Sequence, residues 1–299
     1  MKAMRMAISG RHDLRVVVIA ALMSASPLSS FAADASVTLP LSKLPAFPAP
    51  ELSLEGLSPD VARNVKAALA DAAEGMARMP PAEAAIRAAA QAARNAREAG
   101  KKTGREDAAI LNGASCRYGG ETKDGKPEGL GVMACGGDMY TGRFHNGLPD
   151  GPVAAQRAGI LFLGEYRAGK ANGLGGDTAQ KGDDAYEGEY KDGGRMGFGV
   201  ERDKDGVYPG RFGFYVDPNN KSHRIDMALS GRQDFPTAHW VGSFGAYLGP
   251  KIACTIIKGA SLEGSVLDGP GAKFDAAGKP VEQGLYATGL LKNAKTPPC

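Results

Sequence analysis

Four cysteines, four histidines and a series of evenly spread carboxylates are the residues with chemistry to offer. Cys116, Cys135, Cys254 and Cys299 show no Cys-x-x-Cys pair and no histidine at ligand spacing, which argues against a zinc site. An even count in an exported chain points to disulfides, with three connectivities open. The pairing considered is Cys116–Cys135 with Cys254–Cys299. The first bridge would set Glu121 opposite Leu130, and the same kind of offset sets Glu189 opposite Phe198. Loop closure assigns about 3 kcal/mol to the shorter bridge and about 4 to the longer.

Catalytic groups are sparse. His145 follows Phe144 at the approach to Asn146-Gly147 and reads as an exposed turn residue, while His223 lies between Ser222 and Arg224. His239 with Ser243 could supply a base and a nucleophile, but no third group is specified. Gly129-Leu130-Gly131 and Gly136-Gly137 lack the Gly-x-x-x-x-Gly-Lys-Ser/Thr of a phosphate loop. Glu165, Glu189 and Glu201 are too evenly spread for a paired-carboxylate site and read as a solvent face. The residues therefore predict no catalytic, metal or cofactor site and no enzyme.

The elements that carry these residues repeat. Tyr118, Tyr140, Phe162, Tyr186 and Tyr208 open segments spaced by 22 or 24 residues, each followed two places on by Gly120, Gly142, Gly164, Gly188 or Gly210. A fixed period of this length marks a repeat array. Alternation in Tyr186-x-Gly188-x-Tyr190 places both rings and the glycine on one strand face. Asn146-Gly147 and Asp192-Gly193-Gly194 are turn signals, so each unit is expected to be a β-hairpin. A lone hairpin cannot bury its ring face, so the units must stack.

These residues resemble the MORN repeat, roughly Tyr-x-Gly-x-Tyr/Phe, x-x-Gly, x-x-x-Gly-x-Gly, then Asp-Gly before the next Tyr. The unit at 186–210 follows nearly every position, and those at 118, 140 and 162 follow most. The resemblance covers 118–210. It implies a module for interaction or assembly, sometimes membrane-associated and occasionally appended to an enzyme.

Around the array the chain divides by composition. Residues 1–32 read as a signal peptide: Lys2, Arg5, Arg11 and Arg15 come before or at the apolar run Val16–Met23, and Ser30-Phe31-Ala32 supplies the cleavage site. Cleavage is expected after Ala32, with Ala33 as the alternative, giving a periplasmic or secreted protein. Removing 1–32 takes away four Lys/Arg and one Asp, which cancels the formal charge of +3. A neutral chain lacks the basic footprint of a nucleic-acid binder, and charge does not indicate membrane association.

Residues 33–57 form a Pro-rich linker, with packing on the sheet as the alternative. An Ala-rich helical segment spans 58–100. Ser58-Pro59-Asp60 starts its first helix, whose stripe is Val61, Val65, Ala68, Leu69, Ala72 and Met76. Pro80-Pro81 is expected to end or kink it. A second helix over 82–98 carries Ala85, Ile86, Ala89, Ala93 and Ala96. This segment is expected as a solvent-facing spacer, with a hairpin between the two helices, docking on the repeats, partner contact or oligomerisation as alternatives. Residues 101–113 form a charged hinge and 114–210 the MORN-like array. Residues 211–299 hold degenerate repeats or a C-terminal β cap, with Trp240 opening a late unit.

The expected fold is mainly β, an elongated antiparallel sheet of stacked hairpins preceded by an Ala-rich helical segment. The expected function is that of a non-enzymatic scaffold or protein-interaction module, whose partner is an unnamed protein or cell-envelope component. Two alternatives stand beside it. One is a module binding lipid, peptide or glycan on the face of Tyr118, Tyr140, Phe162, Tyr186, Tyr208 and Trp240. The other, weaker, is a small hydrolase in 211–299.

Overall fold

Asn146-Gly147 and Asp192-Gly193 show why the hairpins close where they do. Asn146 and Asp192 hold φ of 50° and 52°, and the glycines after them 87° and 88°. Two consecutive left-handed residues define the tight turn whose twist matches that of paired strands. The computed structural model describes residues 49–103, 107–111, 113–179, 184–216, 224–247, 264–287 and 290–292. The signal peptide, most of the Pro-rich linker, His223, Cys254 and Cys299 lie outside them.

Among the described residues one helix, α1 (Pro59–Thr103), precedes the strands. The first strands are β1 (Asp107–Leu111), β2 (Ala114–Lys123), β3 (Lys126–Cys135), β4 (Asp138–His145) and β5 (Leu148–Arg157). Then come β6 (Ile160–Arg167), β7 (Lys170–Ala179), β8 (Asp184–Lys191), β9 (Gly194–Asp203) and β10 (Val207–Val216). The described strands end with β11 (Arg224–Asp234), β12 (Ala238–Tyr247), β13 (Gly264–Asp275), β14 (Pro280–Ala287) and β15 (Leu290–Leu291). All fifteen form a single antiparallel sheet in sequence order, so β11–β15 extend the same sheet as the clear repeats.

A line of glycines crosses this sheet. Gly120, Gly131, Gly142, Val153, Gly164, Gly175, Gly188, Gly199, Gly210, Gly231, Gly242, Gly271 and Gly284 are successive register partners. A ring explains the requirement. A Cβ at Gly199 would stand 2.3 Å from the Tyr186 hydroxyl oxygen and 2.5 Å from its Cζ. Tyr118, Phe162 and Tyr186 thus each lie over the paired glycines ahead of them, Gly120 and Gly131, Gly164 and Gly175, and Gly188 and Gly199.

α1 occupies the opposite face and touches every strand from β2 to β13. Val61, Val65 and Ala68 pack with Val241, Ala272 and Phe274, while Ala89, Ala90 and Ala93 pack with Ala154 and Leu163. Gly100 reaches Gly119 on β2. A helix of 45 residues spans about 65 Å at 1.5 Å per residue, and twelve strands at about 4.8 Å cross a similar width. Helix length and sheet width match.

The segment is therefore not a solvent-facing spacer but docks on the repeats, and the helix differs from expectation at two further places. It does not end at Pro80-Pro81 but continues to Thr103 as one element. Contacts with the sheet brace that stretch: Arg78 Nε donates to Glu189 at 2.8 Å, Arg202 to the Met79 sulfur at 3.3 Å, and Ala82 is fully buried. Tertiary contacts offset the lost helical hydrogen bonds. Met76 is the second difference. It is 47% exposed, and Gly75 takes the inward position.

Gly75 is inward because the backbones meet there. A Cβ would lie 2.4 Å from Gly199 O and 2.7 Å from Gly210 N. In an exposed helix Gly75→Ala would add up to about 1 kcal/mol. Here overpacking costs about 1–3 kcal/mol against atoms that cannot turn aside. Thermal unfolding followed by circular dichroism is expected to show a lower midpoint for Gly75→Ala; a higher one would mean the helix is not held against β9 and β10.

The flanking segments are also structured. Leu52, Leu54 and Leu57 pack on the Phe274 cluster, and Ser53 N donates to Gly278 O at 2.8 Å. The 49–57 end of the linker thus follows the packing alternative. The 101–113 stretch read as a hinge contains the last turn of α1 and the edge strand β1.

Candidate functional site

The conspicuous residues of the repeats converge on the face away from α1. Tyr118, Met133, Tyr140, Ala155, Phe162, Asp177, Tyr186, Glu201 and Tyr208 are consecutive register partners across β2–β10. Tyr118 and Tyr186 have no exposed surface, and Tyr140 and Phe162 are buried. Tyr208 and Trp240 are half-buried. The second ring of each unit interleaves with the first. Edge-to-face contacts link Tyr140 to Tyr166 at 6.1 Å, Tyr166 to Phe162 at 5.4 Å and Phe162 to Tyr190 at 4.9 Å. They continue from Tyr190 to Tyr186 at 5.4 Å and on to Phe212 at 4.9 Å. Such pairs stabilise beyond their area burial by about 0.5–1.5 kcal/mol each.

The glutamates of the repeat are bonded to the sheet, although Glu121 and Glu165 remain exposed as a solvent face requires. Glu121, Glu165 and Glu189 each accept the main-chain N–H of Leu130, Leu174 or Phe198, at 2.8, 2.9 and 2.8 Å. Each bond closes a bulge. Register runs Gly188↔Gly199 and then Tyr190↔Arg195, so β9 carries two more residues than β8 between these pairs. Gly197 makes room with φ of 110°, because a Cβ there would meet the Glu189 carboxylate at 2.1 Å. The same break shifts Glu121 out of strict pairing with Leu130, although its carboxylate still reaches that amide. The signal was present as glutamate three residues after Tyr118, Phe162 and Tyr186.

Glu201 belongs to a buried ionic network on the ring face. At the register position held by Pro127, Pro149 and Ala171 in earlier units, the fourth has Arg195. Arg195 grips Asp177 through Nε at 3.2 Å and Nη2 at 2.5 Å, and reaches Glu201 through Nη1 at 2.5 Å. It lies 5.1 Å from the centre of the Tyr186 ring. Tyr190 donates its hydroxyl to Asp177 at 2.7 Å. Burial pushes the Glu201 carboxyl up to about 7, opposed by Arg195. Burial lowers the guanidinium's proton affinity, but Asp177 and Glu201 more than offset that. Burial likewise raises Asp184, 3.5 Å from Arg195. A cation closing the ring stack is a structural insertion, and sequence reading missed it because 195 follows a turn in an unremarkable Gly-Arg-Met.

The C-terminal end repeats this solution. Lys273 Nζ lies 5.3 Å from the Trp240 ring and 5.1 Å from Tyr286, and pairs with Glu282 at 2.7 Å. Phe235 joins Tyr208 and Trp240 at 5.7 and 5.0 Å.

Cys116 and Cys135 are bonded across register-paired positions of β2 and β3. His145 is exposed and contacts Glu128 at 2.9 Å. His239 is 1% exposed, on the helix side, with Nδ1 2.6 Å from Asp234. Ser243 lies four residues further along β12, roughly 13 Å at strand rise, so the two are not brought together.

A model of the MORN repeat matches residues 118–137, 140–152 and 186–208. The unit opening at Phe162 lies outside those matches yet shows the same bulge, glycine pair and glutamate cap. Alsin from Homo sapiens and Alsin from Pan troglodytes are each 36% identical over 92 residues, 28% of this chain. The chain spans about 6% of the length of these curated relatives.

Proposed function

We propose that this MORN-repeat chain is an exported, non-enzymatic interaction module whose rigid sheet presents outward side chains to a protein or other component of the bacterial cell envelope. One observation carries the reading. Tyr118, Tyr140, Phe162, Tyr186, the glycine line and the glutamate caps are all engaged in building the sheet. What they build is a platform of fifteen strands, about 70 Å long at normal strand spacing, braced by a helix of comparable length. A surface of that extent suits docking. Export rests on the charged, apolar and small-residue order of residues 1–32.

A second reading, a small ligand on the ring face, is favoured by Tyr208 and Trp240, which are half-buried where earlier rings are buried. Capture from envelope extracts with the intact immobilised protein separates the two. Saturable retention of a specific protein, competed by soluble chain and unaffected by Trp240→Ala, is the expected result. Retention of only lipid or glycan, lost in Trp240→Ala at unchanged melting temperature, would replace it with the second reading.

A further inference from the structure

Glu187 is a carboxylate placed on the helix side of the sheet. It sits on β8, register-paired with Gly176 on β7 and Val200 on β9. It is 4% exposed, and its Oε2 has no hydrogen-bond partner among the described residues. Its charged neighbours are Arg202 from β9 and Glu83 from α1. Each has another partner: Arg202 donates to the Met79 sulfur, and Glu83 pairs with Arg87. Arg78, one turn earlier on α1, is held by Glu189 and Glu74. The β7 side contributes Gly176 and Thr178, neither of them charged.

Met79 and Glu83 flank Pro80-Pro81. The carboxyl therefore faces the part of α1 where proline removes the amides that would bond the Met76 and Ala77 carbonyls. Burying an ionised carboxylate without a partner is costly. Burying the neutral acid is much less so. We propose that Glu187 is a proton-operated latch for the middle of α1: protonated, it lets the helix lie on β8 and β9, and ionised, it releases the helix locally around Pro80-Pro81.

Burial pushes this carboxyl up from 4.5 to about 7, with Arg202 opposing and Glu83 adding to the rise. The docked helix thus keeps a proton that the opened form, with water at the carboxyl, gives up. Docking weakens as pH climbs from about 4.5 to about 7 and is weakest above that. The bound on the effect is on the order of 100-fold in the open-to-docked ratio.

Amide hydrogen exchange on the full chain, expressed as protection factors corrected for intrinsic rates, tests this at pH 5.5 and 8.5. Amides 74–90 are expected to lose roughly 10- to 100-fold protection at pH 8.5, while those of β2–β7 hold theirs. Glu187→Gln should keep the helix protected at both values. Glu187→Leu, neutral and unable to titrate, should do the same, so the result does not depend on one variant folding. Equal protection of the wild type at both pH values would overturn the latch. So would an unchanged pH-dependent loss in the two variants, since it would place the titration on another group such as Glu201.

Discussion

Tyr186→Ala is expected to destabilise the protein by about 3–5 kcal/mol, the cost of removing a fully buried aromatic ring. Urea unfolding followed by far-ultraviolet circular dichroism would report it. The ring has no exposed surface, contacts Tyr190 and Phe212 edge-on, and lies under the Arg195 guanidinium. Its hydroxyl donates to Glu189 O at 3.2 Å. Truncation would open a cavity at the junction of β8, β9 and β10 and uncover Gly188 and Gly199, which have no side chain to refill it. Tyr186→Phe keeps the ring and loses one hydrogen bond, for about 1 kcal/mol. The contrast between the two variants is diagnostic. A ring that served a ligand rather than the fold would leave both near wild-type stability, and that result would refute the spine.

Arg195→Met is expected to cost a similar 3–5 kcal/mol at pH 8.5, for a different reason. It deletes one partner of a buried ion network and strands the others. Asp177 and Glu201 would face each other across the ring stack without the guanidinium that both now hold. The pH dependence follows from Glu201. Its folded value of about 7 lies above the ordinary 4.5, so the folded state binds the extra proton and stability falls as pH rises across that interval. Removing Arg195, which opposes the rise, would push the value higher and extend the loss above pH 7. The gap between variant and wild type should therefore narrow at pH 5.5. Glu187 titrates in the same interval but in both proteins, so it drops out of the difference. Adding Asp177→Asn and Glu201→Gln to Arg195→Met should recover most of the stability at pH 8.5. If Arg195→Met alone is neutral at both pH values, the network does not stabilise the array.

The ring and turn positions were legible because they are local and periodic. Tyr186-x-Gly188-x-Tyr190 can be read as one strand face, and Asp192-Gly193 as its turn, without knowing what lies nearby. The Cys116–Cys135 pairing was legible for the same reason, since hairpin register relates residues close in sequence. Glu189 was misread because its role depends on a bulge, in which register slips so that one carboxylate can reach an amide. Arg195 was missed because its partner Asp177 lies two strands away on β7, in the preceding hairpin, while Glu201 lies six residues further along β9 itself.

The sequence by itself determined the repeat, its hairpins, and the strand face that rings and glycine share, because strand alternation and turn stereochemistry act over a few residues. Only the tertiary structure decided where the 59–103 segment goes. An alanine stripe interrupted by two prolines has little intrinsic reason to remain one helix or to choose a face. It is continuous because the sheet beneath it is as long as the helix, and because Gly75 lets the two backbones touch. Residues whose meaning lay within one hairpin could be read in advance. Those whose meaning lay between α1 and the sheet, Glu187 among them, could not.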